Sequence, residues 1–260
     1  MPGIPQVTLA CFGLIGTLVT DDGAIELAFA EAIATQGVVS GTSAFARAMA
    51  QVHRARGQAP ADILLELFPD NQPRAQAALL AFDRSLAATV DRRVVNPIPG
   101  AREVLTGLAD RGCRIAVLTI LPRRELTAVL QAVGWRDLIT VALTAEDVPR
   151  GSPFPDLALA AMLRAGVGDV REVAMVDGTA AGIECGRHAG ASVLAAVLTG
   201  PHPAARLRAA GATHVIRSVA ELPAVLASTS VSPSAGVPAV GQERTAIPPQ
   251  IPLEPRTLGR

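Results

Sequence analysis

The stretch Val7-Thr8-Leu9-Ala10-Cys11-Phe12-Gly13-Leu14-Ile15-Gly16-Thr17-Leu18 decides the fold. Residues 7–12 form an apolar run that Gly13 ends, the pattern of a strand buried on both faces of a parallel sheet. From about Asp21 to Thr89 the period turns helical, with apolar residues at helix spacing over 24–36, 42–56, 61–68 and 74–89. Gly37, residues 57–60 and residues 69–73 punctuate that region. After Pro97-Ile98-Pro99-Gly100 the spacing predicts helices over 101–111, 123–133, 155–165, 180–189 and 204–210. They alternate with strands over 114–119, 139–143, 172–176, 192–197 and 214–217. This alternation predicts an α/β fold, a Rossmann-like parallel sheet with helices on both faces, and a site at the carboxyl ends of its strands. The expected organisation is an α/β core from residues 1–20 and 91–227, a helical insertion at 21–90 and a tail at 228–260.

Composition narrows the function classes. A chain of 260 residues, half of them apolar, can bury one sizeable core plus a smaller accessory unit. The 23 basic and 23 acidic side chains balance, so no net field attracts nucleic acid or an anionic membrane. Every basic residue of that set is arginine; without lysine there is no Schiff base and no lysine-held phosphate. Cys11, Cys113 and Cys185 are far apart and without metal spacing, and read as reduced, buried thiols of a cytoplasmic protein. Residues 1–5 lack a charged segment leading into a long apolar run, so no signal peptide is expected. The longest apolar segments are strand-length, so no membrane span is expected either. Residues 228–260 are rich in Ser, Pro, Gly and Val without a period and read as disordered. Their basic, slightly apolar end at 251–260 is either a frayed terminus or a docking motif for a protein partner.

The strand leading into Gly16-Thr17-Leu18 resembles the first motif of the haloacid dehalogenase (HAD) superfamily, written D-x-D-G-T-L. Over about residues 5–227 the chain is similar to the phosphonatase-like hydrolases of that superfamily. The "DVPxGxPxPD" frame within residues 144–156 carries the resemblance most specifically, supported by residues 97–112, 173–190 and 214–222. The resemblance implies that the helical insertion is a cap over the catalytic core. It also implies a nucleophilic aspartate, a magnesium ion, and a hydroxyl and a cation that hold phosphate.

Placed on those motifs, this chain departs from the pattern at several positions. The nucleophile position is Gly13 and the acid/base position is Ile15, where phosphonatase relatives carry alanine. Thr119 fits the hydroxyl position but is followed by Ile120, and Ser152 stands at the cation position with Arg150 two residues away. The two magnesium carboxylates are replaced by Gly178 and Gly182, and Asp177 stands where glycine is expected. A carboxylate nucleophile splits one hard substitution into two easier ones, and its removal costs on the order of a millionfold in rate. Magnesium with few carboxylate ligands keeps most of its water. Neither the cysteines nor His53, His188, His202 and His214 show metal-ligand spacing or an evident acidic partner.

The leading expectation is a HAD-like protein without catalytic residues that binds a small molecule or a protein partner and needs no cofactor. Gly16, Thr17, Thr119, Arg150 and Asp177 are its ligand-binding candidates, because backbone amides of the 13–17 loop and of helix starts attract anions. One alternative is a divergent hydrolase of phosphorylated or phosphonate compounds, with magnesium, drawing on Asp21, Asp22, Arg150 or Asp177. Another is a scaffold or cargo protein that docks through the tail. The resemblance also leaves a cap-mediated homodimer open.

Overall fold

The computed structural model describes residues 6–20, 22–92 and 95–229. Six parallel strands form one sheet in the order β3-β2-β1-β4-β5-β6: β1 Leu9–Gly13, β2 Arg114–Thr119, β3 Val141–Thr144, β4 Val173–Asp177, β5 Val193–Val197 and β6 His214–Ile216. The order reverses between β1 and its neighbours β2 and β4, so the crevice at the carboxyl end of β1 is the topological switch point. Within each strand the residues alternate between two apolar layers. Ala10, Phe12, Ile115, Val117, Ala174, Val176, Val193 and Ala195 enter the larger one. Leu9, Cys11, Ala116, Leu118, Val173, Met175, Leu194 and Ala196 enter the other. A sheet covered on both faces follows from strands that are apolar at every position.

Helices α5 (Ala101–Ala109), α6 (Arg123–Ala132), α7 (Asp156–Ala165), α8 (Ala180–Ala189), α9 (Ala204–Ala209) and α10 (Leu222–Thr229) alternate with the strands or follow them. Helix α10 carries regular structure two residues beyond the start of the compositional tail, since Leu222 and Val225 are buried in the larger layer. The proposed docking segment at 251–260 lies outside the described residues, as does Asp21. Cys11, Cys113 and Cys185 are free and buried. Burial raises all three thiols, Cys185 to about 11, so they remain protonated packing residues. Among the described residues no helix is long and apolar enough to cross a membrane.

Between β1 and α5 lie four helices, α1 (Ala24–Thr35), α2 (Ser43–Ala55), α3 (Pro60–Leu67) and α4 (Gln72–Arg92). Thr42 caps α2 by accepting from Phe45 N at 3.2 Å, and Phe29 of α1 packs on Phe82 of α4 with ring centroids 4.5 Å apart. The chain enters and leaves this insertion side by side: Ile98 N donates to Leu18 O (2.8 Å) and Thr20 N to Asn96 O (2.9 Å).

A second set of contacts, from the loop after β5 and from α9, ties the insertion down at its far side. The His202 imidazole bridges the two parts. Its Nδ1 accepts from Ala180 N at the start of α8 (2.8 Å), which makes Nε2 the protonated nitrogen, donating to His53 O of α2 (2.9 Å). The Arg206 guanidinium donates to Arg54 O, and Thr199 Oγ1 donates to Gly16 O at 2.8 Å. At Gly57, with φ of +96°, the turn after α2 lies so close to the core that a Cβ would stand 2.3 Å from Thr179 Oγ1.

This bridge uses the neutral imidazole. Burial lowers the His202 pKa below 6.5, and the nearby Arg206, Arg56 and His53 lower it further, while the bond to His53 O opposes them. Below pH 6.5 the unfolded chain therefore binds a proton that the folded chain resists, so this group's contribution falls as pH falls and is constant above that range. Replacing His202 with Ala strands the buried Ala180 amide and removes the donor to His53 O, and should cost about 2 kcal/mol at pH 7.5. Urea unfolding checks both points: the gap between wild type and His202→Ala should narrow on going from pH 7.5 to pH 5.

Candidate functional site

The carboxyl ends of β1, β2 and β4 and the insertion enclose a cavity of about 40 Å³. From the core it is lined by Gly13, Leu14, Ile15, Leu118, Thr119, Ile120, Ser152, Leu157, Met175, Asp177 and Thr179, and from the insertion by Ile25, Arg56 and Gly57. The structure thus brings together Gly13, Ile15, Thr119, Ser152 and Asp177, which the sequence places on four separate segments. Gly16, Thr17 and Arg150 do not line the cavity.

Those three residues have other partners. Gly16 N donates to Val19 O (2.7 Å) and Thr17 N to Leu14 O (3.3 Å), so these two loop amides are spent on their own turn. Thr17 is fully buried, and its hydroxyl accepts from Gly178 N at 3.1 Å. Arg150 forms a two-pronged pair with Asp156 (3.1 and 2.7 Å) and stacks on Phe154, 4.5 Å from the ring centroid, on the surface. Asp22 accepts from Thr20 Oγ1 and Asn96 Nδ2 where the insertion joins the core.

Asp177 is the chemical centre of the cavity. Its Oδ1 accepts from both the backbone N and the hydroxyl of Thr179, each at 2.7 Å. The carboxylate fills space that two glycines leave open. A Cβ on Gly13 would stand 2.4 Å from Asp177 Oδ2, and one on Gly182 would stand 2.2 Å from both Cγ and Oδ2. Burial drives its pKa up to about 6, against the lowering effect of the bonds from Thr179 and Gly178.

Gly178 is closed by backbone. A Cβ there would lie 2.6 Å from Gly200 Cα and 3.1 Å from Gly16 O. The loop after β5 therefore occupies the place into which a side chain at 178 would project. Thr119 and Ser152 are also engaged. Thr119 Oγ1 accepts from Leu121 N at 3.1 Å, and the Ser152 side chain hydrogen-bonds the Cys185 thiol.

The donor set does not fit the magnesium ion that the HAD resemblance implies. Among the described residues Asp177 is the one carboxylate that lines the cavity, and one of its oxygens already accepts two hydrogen bonds. Magnesium sites in proteins use carboxylates and substrate phosphate around an octahedron. Among the described residues no group of three or more His, Cys, Asp and Glu side chains could hold a metal ion.

Two functional residues were invisible in the motif reading. Arg56, 7 % exposed, is the one cation among the described residues that line the cavity, and it reaches Glu26 Oε1 at 3.5 Å. His202 organises the first turn of α8 from 22 residues away in the chain. The Arg56-Gly57 turn carried one usable signal, a glycine directly after a helical segment; His202 carried none.

This geometry sits in a recognised family frame. The family model for haloacid dehalogenase-like hydrolases matches residues 7–190. Among curated proteins, the phosphonoacetaldehyde hydrolase of Bordetella pertussis is 35% identical over 163 residues, covering 54% of this chain and 59% of that protein. The phosphonoacetaldehyde hydrolase of Hahella chejuensis is 32% identical over 160 residues, covering 52% and 54%. The chain thus spans about half the length of the curated relatives it matches. Among solved structures, a hydrolase from Pseudomonas syringae superposes with a TM-score of 0.73 at 22% identity, covering 85% of this chain and 98% of that one. A phosphonoacetaldehyde hydrolase-like protein from Oleispira antarctica does so with a TM-score of 0.76 at 23% identity, covering 87% and 94%. At those identities the structural likeness speaks for the fold alone, and the sequence match decides membership: the chain belongs to the haloacid dehalogenase-like hydrolase family.

Proposed function

We propose that this family member acts by binding a small ligand between its α/β core and its helical cap, and not by magnesium-dependent transfer through an aspartyl intermediate. The cap is the insertion α1–α4, and the core is the six-stranded sheet with its flanking helices. One observation carries the reading: the Asp177 carboxylate fills the Cβ positions of both Gly13 and Gly182. At the motif positions the side-chain space is not merely vacant but taken up by other atoms of the chain. Gly178, against Gly200, extends the same pattern. A protein that had lost only its nucleophile would keep a hole there.

Ligand recognition in this proposal rests on Arg56 from the cap, the hydroxyls of Thr119 and Ser152, and the apolar walls of Ile15, Ile25, Ile120 and Leu157. At about 40 Å³ the cavity holds a water molecule or a few atoms, so a metabolite enters only when the cap moves away. Within the closed site Arg56 orients an anionic or strongly dipolar group, and the apolar walls exclude water around it.

A divergent hydrolase is the second reading, and Asp177 is what favours it. A carboxylate with a pKa near 6 that lines the cavity has the properties of a general base. Turnover assays separate the two. With magnesium present, wild-type protein should release no phosphate above blank from phosphate monoesters or phosphonoacetaldehyde; release that Asp177→Asn abolishes would establish the hydrolase instead. Packing gives an independent check. Gly13→Asp should destabilise the fold by driving a second carboxyl into Asp177, and Asp177→Gly should relieve that cost in the double variant. The coupling, read from urea denaturation, should be about 1–3 kcal/mol.

A further inference from the structure

We propose that Asp177 is a resident anion that sets this site against phosphate and phosphonate: its carboxylate holds the space and the donors that a tetrahedral oxyanion needs. The inference rests on the binding function proposed above and names what that site rejects.

Space comes first. The carboxylate lies between Gly13 of β1 and Gly182 of α8, within 2.4 Å of where either Cβ would stand. An oxyanion seated at the carboxyl end of β1 has to displace it.

Donors come second. The start of a helix ordinarily offers free amides to an anion. Four amides around the start of α8 already have partners: Gly178 N donates to Thr17 Oγ1, Thr179 N to Asp177 Oδ1, Ala180 N to His202 Nδ1 and Gly182 N to Thr179 Oγ1. The Thr179 hydroxyl also donates to Asp177 Oδ1. Removing Asp177 releases the Thr179 amide and hydroxyl together, both aimed at the vacated volume.

Charge comes third. Among the described residues Arg56 is the only cation lining the cavity, and it shares its charge with Glu26. A dianion would add two negative charges beside Asp177 and Glu26, which already outnumber Arg56, whereas a neutral ligand adds none.

The test is calorimetric titration of inorganic phosphate into the full chain in metal-free buffer containing EDTA at pH 7.5. Wild type should show no saturable binding at millimolar phosphate. Asp177→Gly should bind at least about tenfold more tightly. Asp177→Asn keeps most of the volume while removing the charge, and should fall between them. Asp177→Ser, whose shorter, uncharged side chain vacates most of the volume although its hydroxyl can still accept from Thr179, serves if the glycine variant does not fold, and should bind phosphate more tightly than wild type. Two results overturn the proposal: wild type binding phosphate as tightly as the Gly or Ser variant, or a folded Gly or Ser variant binding no better than wild type. Neither result bears on turnover. Phosphate release by wild type would sink the binding-only function while leaving the discrimination at Asp177 to stand or fall by titration.

Discussion

A carboxylate packed against two backbones that have no side chains is the contact on which this site depends. Asp177 ends β4, Gly13 ends β1 and Gly182 lies in the first turn of α8, so one side chain fixes how three elements meet. Ionising a buried carboxyl costs free energy, which is why its pKa stands near 6 instead of 3.8. The two bonds from Thr179 offset part of that cost and at the same time shape the entry to the helix. The arrangement is consistent only as a set. Larger residues at 13 or 182 leave no room for the carboxylate, and a residue without a carboxylate at 177 leaves the Thr179 amide without its acceptor.

The loop after β5 extends this interlocking outward. Gly200 lies on Gly178, Thr199 bonds Gly16 O, and His202 joins the start of α8 to the end of α2. Interiors pack at near-crystalline density, so a change at any of these close approaches propagates to its neighbours. The helical insertion is thereby held on two sides: where its ends pair with each other, and where α2 and its following turn meet the core.

Much of the architecture was legible in the sequence because it is written in local terms. The run from Leu9 to Phe12 is apolar at each position, and that is what burial on both faces of a sheet requires. Helices α5, α7 and α8 fall within two residues of where apolar spacing places them, and α7 and α8 end on the left-handed caps Gly166 and Gly190. The site was legible only as an inventory of motif positions. That glycine stands at 13, 178 and 182 is visible in the letters, but what fills the space beside it is not. The bridging role of His202 spans 149 residues to His53, and Arg56 enters the cavity only because the insertion folds back over the core. The sequence reading also counted on free amides in the 13–17 loop; the Gly16 and Thr17 amides are consumed by a tight turn, since each has a carbonyl acceptor nearby in the chain.

The bonds from His202 and Arg206 to the insertion end on main-chain oxygens, those of His53 and Arg54. A main-chain acceptor is the same atom whichever side chain the residue carries. The outer surface of α2 is therefore free to accumulate substitutions without loosening the attachment, and an engineer could redecorate it at will. What the attachment does register is displacement of the backbone itself: a residue inserted or deleted near the end of α2 shifts both oxygens at once, by more than a hydrogen bond tolerates.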